Sequence, residues 1–382
     1  MDIDYTVAPA LILLGGVAVV WLSLRRIFSL RSKVSRRWQR VAERVILSAV
    51  ILVAAAVAGN VSYNAIAVHW FRGHHPLPGT IYLVDGHHMR MDCTGSGSPT
   101  IVLESGLGND GLIWGGVQPE LAKTTRVCSY DRAGMGWSDA VSGPRDADHI
   151  ASQLHALLLE AKVTGPLVLM GHSLGGIFLR DYATRYPAGI AGMVFLDATT
   201  PMQRHNPVFK AAEAKQWPPI WVRLTFYRTE MILGVPRLFG ACSQPVKGFA
   251  GEAEKLEAEA RCAAPVWTAT REEMDAEQSS LETVHTGPFG ALPILVFSQD
   301  LDNQMPKQNP PQFMVDARNA MNQMQEDLKN LSTRGRRIIA RDSGHEIQLE
   351  RPDLIEKEAP LFVEQIRGTA PEPTNYGSTI TE

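Results

Sequence analysis

The stretch Leu167-Val-Leu-Met-Gly-His-Ser-Leu-Gly-Gly176 decides how this chain folds. A short apolar run ends in G-x-S-x-G, and a helical pattern continues from 174 to 186. A buried strand that delivers a serine into a very tight turn needs small neighbours, and Gly171 and Gly175 supply them. The turn leaves Ser173 at the head of a helix. There, free backbone N–H groups and the positive end of the helix dipole can meet a developing oxyanion. Ser173 is therefore the candidate nucleophile.

A serine hydroxyl is almost wholly protonated at neutral pH, so the nucleophile needs a base. Of the 11 histidines, His345 stands on a loop just past a late strand, 337–340, as the chain order Ser…Asp/Glu…His requires. His149 and His155 fall in a helical stretch, and His69, His74, His75, His87 and His88 read as surface histidines without ligand spacing for a metal. The acid that orients the imidazole has three candidates. Asp300 and Asp302 follow the apolar run Leu292-Pro-Ile-Leu-Val-Phe297, and Asp197 follows Gly192-Met-Val-Phe-Leu196. Asp300 is the first choice, with Asp302 and Asp197 as alternatives.

On these residues the chain resembles the α/β-hydrolase superfamily over about 80–367. Ile101-Val-Leu-Glu-Ser-Gly-Leu-Gly108 looks like the family's third strand and oxyanion loop, with Ser105-Gly106 in place of the usual His-Gly. The resemblance implies oxyanion donors at the backbone N–H groups of Leu107 and Leu174. Val127-Cys-Ser-Tyr-Asp-Arg-Ala-Gly-Met-Gly-Trp-Ser138 is similar to the family's fourth strand and its D-R-x-G-x-G-x-S turn, a structural hallmark. Haloalkane dehalogenases and epoxide hydrolases of this fold carry aspartate at the nucleophile position, and the serine here argues against both. The implied fold is a mostly parallel, eight-stranded sheet covered by helices on both faces. On that fold Cys93 and Cys128 would lie on neighbouring strands, and Cys242 and Cys262 would share a cap. Two disulfides or four buried thiols are both open.

The rest of the pattern agrees with that fold. Runs at 80–84 and 88–92 flank Asp85-Gly86, a two-residue hairpin signal. Later strands near 101–104, 126–130, 166–170, 192–196, 293–297 and 337–340 alternate with helical patterns near 148–161, 174–186, 311–332 and 352–366. From about 199 to 290 the alternation stops, and Trp217, Trp221, Phe226, Tyr227, Phe239 and Trp267 accumulate. An insertion there would cap the strand ends, its aromatics either lining a substrate pocket or forming the cap's own core. Residues 73–367 make one hydrolase domain with this cap, and 368–382 read as a disordered polar tail.

Residues 1–72 read as a membrane anchor. The segments 7–24 and 45–68 carry no charge and are about long enough to cross a bilayer. Between them stand Arg25, Arg26, Arg31, Lys33, Arg36, Arg37, Arg40 and Arg44 against Glu43 alone, which marks a cytoplasmic loop, while Asp2 and Asp4 can stay outside. A helical hairpin would then hold the catalytic domain on the extracytoplasmic side. A cleaved signal ending at Ala56-Val-Ala58 is the alternative. With a net charge of −3 and its basic cluster in the membrane loop, the chain offers nothing to nucleic acid.

The expected activity is hydrolysis of a carboxylic ester, a lipophilic one by the setting, with no cofactor and no metal. An amidase, thioesterase or cofactor-free haloperoxidase on the same residues, or a non-catalytic receptor on a hydrolase fold, are the alternatives.

Overall fold

The computed structural model describes residues 7–29, 37–215, 217–249, 251–284 and 287–382. Arg31, Lys33 and Arg36 of the basic loop, and Asp2 and Asp4, lie outside the described residues.

Among the described residues nine strands build one sheet: β1 Thr80–Val84, β2 His87–Thr94, β3 Thr100–Glu104, β4 Val127–Tyr130, β5 Leu167–His172, β6 Ile190–Leu196, β7 Ile294–Gln299, β8 Gly335–Ala340 and β9 Thr379–Thr381, in the order β1-β2-β4-β3-β5-β6-β7-β8-β9. The first two are a hairpin over Asp85-Gly86, both at positive φ (48° and 83°), as a two-residue turn of this hand demands. Among these described strands β1–β2 and β2–β4 pair antiparallel, and the other pairings are parallel.

Alternation along the central strands divides the core into two layers. Leu169, Phe195 and Val296 face Leu154, Leu158 and Leu179 on one side. Val168, Met170, Val194 and Leu295 face Trp114, Leu354 and Phe362 on the other. Because both faces are covered, these strands read as unbroken apolar runs. The covering helices are α3 Gln118–Leu121, α4 Ala147–Glu160, α5 Gly175–Arg185, α12 Gln312–Lys329, α13 Ile347–Glu350 and α14 Pro352–Arg367.

Two expectations are corrected here. The sheet has nine strands rather than eight, because the segment read as a disordered tail returns to the sheet edge. Thr379–Thr381 pairs in parallel with β8, Lys329 Nζ donates to the Gly377 carbonyl at 2.7 Å, and Lys357 Nζ reaches the Glu382 carboxylate at 2.5 Å. Its polar sequence resembled solvated chain because an edge strand three residues long carries almost no periodic signal.

Between β6 and β7 the chain forms a helical cap: α6 Met202–His205, α7 Pro207–Glu213, α8 Ile220–Leu233, α9 Val235–Leu238, α10 Gly251–Arg261 and α11 Ala264–Thr283. Disulfides join Cys93 to Cys128 across the β2–β4 register and Cys242 to Cys262 inside the cap, so all four cysteines are paired.

At the N-terminus α1 Ala8–Ser29 and α2 Arg37–His74 are packed against each other, and both are long and apolar enough to cross a membrane. They fit a membrane protein. The second helix continues past its apolar part and meets the domain, where Arg72 donates to the Gly136 carbonyl at 3.2 Å and His75 bonds to Glu252.

Candidate active site

Ser173 follows β5 directly and precedes α5. Its φ of 52° lies in the left-handed region that non-glycine residues rarely occupy, a local strain held by the bonds around it. The Ser173 N–H donates to the Leu196 carbonyl at 3.1 Å, and the Thr199 N–H donates to the Ser173 carbonyl at 2.9 Å. These two bonds bracket Asp197 and draw the end of β6 against the serine turn. The crowding explains the glycines. A Cβ on Gly175 would stand 2.7 Å from the carbonyl oxygens of Glu104 and Ser105, and one on Gly106 would stand 2.8 Å from His172 Nδ1.

His345 lies on the loop after β8, and its Nδ1 is 2.6 Å from Asp197 Oδ2. With Nδ1 donating to the carboxylate, Nε2 is the nitrogen left to serve as base. Asp197 is buried and fixed in turn by Gln299, whose Nε2 donates to Oδ2 at 2.6 Å and whose N–H donates to Oδ1 at 3.2 Å. Partial desolvation works against the imidazolium of His345. The hydrogen bond and charge of Asp197, with Glu346 and Glu350 behind it, outweigh that, and the pKa is raised above 6.5.

The first choice for the acid is therefore corrected. Asp300 is spent on its own turn, where its carboxylate accepts from the N–H groups of Asn303 at 3.2 Å and Asp342 at 3.1 Å. Asp302 pairs with Arg318 at 2.8 Å. All three aspartates satisfied the chain order. Only Asp197 directly follows a strand that neighbours the serine strand.

Two further groups around the serine were not singled out from the sequence. His172 is wholly buried beside it and donates from Nε2 to the His345 carbonyl at 3.0 Å, tying the elbow to the histidine loop. Burial, and then the nearby His345, push its pKa down to about 3, so it stays neutral.

Arg132, in the turn after β4, is the second. Its guanidinium donates to the carbonyls of Ser105 at 2.7 Å and Gly106 at 2.8 Å, and to Glu104 at 2.7 Å. It also makes a two-pronged pair with Glu273 of the cap helix α11, both bonds 2.9 Å, and Arg145 joins the same carboxylate at 2.6 Å. Burial alone would raise the pKa of Glu273, yet the two arginines more than offset it and hold the carboxyl below its usual range. In a trans peptide the C=O and N–H point in opposite directions. With the Gly106 carbonyl held on Arg132, the Leu107 N–H is turned away from the guanidinium. Leu174 is the N-cap residue of α5, so its N–H stands at the positive end of that helix, where backbone donors have no partner within the helix.

A cavity of about 520 Å³ lies between this loop and the cap. Leu107, Ile113, Val266, Trp267 and Leu349 give it apolar walls, and Asp110, Glu257 and Glu346 add carboxyls. Burial raises the pKa of all three, with Glu257 adding to the effect on Asp110. Trp267 is the one tryptophan of the cap that lines it; Trp217, Trp221, Phe226 and Phe239 are exposed on the outside.

The chain belongs to the alpha/beta hydrolase family, whose model matches residues 101–358. Among curated proteins it is 30% identical to YbdG of Bacillus subtilis over 165 residues, 41% of this chain and 51% of that one. It is 42% identical to an uncharacterized protein of Schizosaccharomyces pombe over 82 residues, 22% of this chain and 15% of that one. The chain thus spans about half the length of the first of these relatives and 15% of the second. Among solved structures, an esterase from Thermogutta terrifontis superposes with a TM-score of 0.50 at 19% identity, over 76% of this chain and 99% of its own. A membrane phospholipase A, described as a bacterial virulence factor, gives 0.53 at 20% identity, over 85% of this chain and 99% of its own. At these identities the likeness is one of fold.

Proposed function

We propose that this chain is a membrane-anchored serine hydrolase that cleaves carboxylic esters through an acyl-enzyme. His345 Nε2 takes the Ser173 proton as Oγ adds to the ester carbonyl. The Leu107 and Leu174 amides hold the oxyanion, and Asp197 stabilises the imidazolium. His345 then returns the proton to the leaving alkoxide. Water adds to the acyl-enzyme in the same way and releases the acid. The reaction needs no cofactor or metal.

The observation that carries this reading is the 2.6 Å contact of His345 with a buried, doubly anchored Asp197, at the end of a strand bonded to the serine turn. The apolar walls of the cavity, and its position beside Leu107, support a lipophilic ester of moderate size. The arginines flanking the basic loop support a cytoplasmic loop and a catalytic domain on the other side of the bilayer.

The test is turnover of short-chain and medium-chain p-nitrophenyl esters by the full-length protein in detergent. The reading expects Ser173→Ala to abolish it. Hydrolysis that survives in this variant overturns the assignment of the nucleophile.

A further inference from the structure

The cap aromatics pose a problem that the active site does not solve. Trp217 is 88% and Phe239 80% exposed, and Trp221, Phe226 and Leu238 are exposed beside them in sequence. They line no part of the cavity and are absent from the buried core, and large apolar groups left this exposed point to a surface that meets something apolar.

The anchor helix shows where that surface lies. From Arg44, the last cation of the basic loop, α2 runs uncharged for about 20 residues to Asn64, roughly 30 Å of helix and the thickness of a bilayer's hydrocarbon core. Asn60 and Asn64 thus fall at the far edge of that core, and there they hold the cap. Asn60 Nδ2 donates to the Leu233 carbonyl at 2.7 Å, and Asn64 Nδ2 donates to the Met231 carbonyl at 3.0 Å. Arg237 Nε donates to Asn64 Oδ1 at 2.8 Å, and its guanidinium also reaches Glu259 of α10 at 2.5 Å. The approach is close enough that a Cβ on Gly234 would stand 2.7 Å from Asn64 Cβ. The α8 helix also touches α1. The C-terminal end of α8 and the start of α9 are therefore fastened to the hairpin at headgroup level.

We propose that α8 and α9 form a membrane-docking face, with Trp217, Trp221, Phe226, Leu238 and Phe239 set into the leaflet opposite the basic loop. Tryptophan and phenylalanine suit that depth, since their rings favour the boundary between headgroups and acyl chains. The occupant is lipid because the face is continuous with the two spans and pinned to one of them. A cap bedded in this way holds the cavity that its α10 and α11 help to line close to the pool of lipophilic esters in the bilayer. This rests on the hairpin spanning a membrane.

All four native cysteines are in disulfides, so one added cysteine is the sole free thiol. Full-length Phe226→Cys and Phe239→Cys, with Lys357→Cys on α14 as an aqueous reference, are spin-labelled in phosphatidylcholine nanodiscs. Collision rates are then compared for oxygen, which concentrates in lipid, and for a water-soluble nickel chelate. The proposal expects a several-fold excess of oxygen over chelate collisions at 226 and 239 relative to 357. Chelate-dominated labels at both sites overturn it. Labels shielded from both reagents also overturn it, because they mean that protein covers the face. Carbonate extraction of the wild type from its native membranes separates the two failures. A protein that is released shows that the hairpin does not span. A protein that is retained, with water-exposed labels, shows that the hairpin spans and the cap stands clear.

Discussion

His345 Nδ1 lies 2.6 Å from Asp197 Oδ2, at the end of the strand whose last carbonyl is bonded to the N–H of Ser173. The serine strand and the acid strand are paired edge to edge, and the histidine loop meets the ends of both, with its side chain on Asp197 and its carbonyl on His172. Asp197→Asn removes the charge that steadies the imidazolium and the acceptor that fixes its tautomer. A loss of about 10³–10⁴ in kcat is expected. Asp300→Asn, which disturbs only a turn, is expected to stay within a few-fold of wild type. Steady-state hydrolysis of one soluble ester decides between the two aspartates.

The pH profile follows from the same pair. A base works only when neutral, and the pKa of His345 is raised above 6.5. Activity is therefore expected to be lost as pH falls, with the midpoint of kcat/KM above 6.5. In Asp197→Asn desolvation acts with less opposition, so the midpoint of the residual activity is expected to move down. Rates measured from pH 5 to 9 on both proteins give the sign.

His172 titrates in the other direction. Its pKa in the folded chain, about 3, is below the 6.5 of an unfolded histidine. The unfolded chain binds the extra proton, so this group's contribution is complete above 6.5 and is lost as pH falls toward 3. Denaturant midpoints of His172→Asn are expected to depend less on pH across that window than those of wild type.

Glu273 is the carboxylate that two buried arginines share, and one of them holds the loop carrying Leu107. Glu273→Gln leaves those charges short of a partner, which costs about 3–5 kcal/mol in comparable buried pairs. A lower melting temperature and a lower kcat are expected together. Glu273→Asp keeps the charge and is expected to recover part of both, where a simple packing defect would not.

Much of this was legible in the chain, for physical reasons. The central strands are buried on both faces and so appear as apolar runs, and a strand-turn-helix with a strained serine leaves glycines on either side. The pattern of the two apolar N-terminal helices was equally plain. Choosing Asp197 over Asp300 was not possible from one dimension, because both follow an apolar strand and both precede His345. What separates them is sheet order, which puts β6 and not β7 next to β5. The grip of Arg132 on Gly106, and of Asn64 on the cap, joins residues far apart in sequence through side chains with no spacing signal. The last strand was missed because three residues give too short a pattern to distinguish from coil.

The central claim is that Ser173 is a working nucleophile. A fluorophosphonate probe forms a covalent bond only with an activated serine, and peptide mapping locates the adduct. The account predicts one adduct, on Ser173, absent in Ser173→Ala and strongly slowed in His345→Ala. A folded wild-type protein that takes no label, or that carries it on another residue, would contradict it.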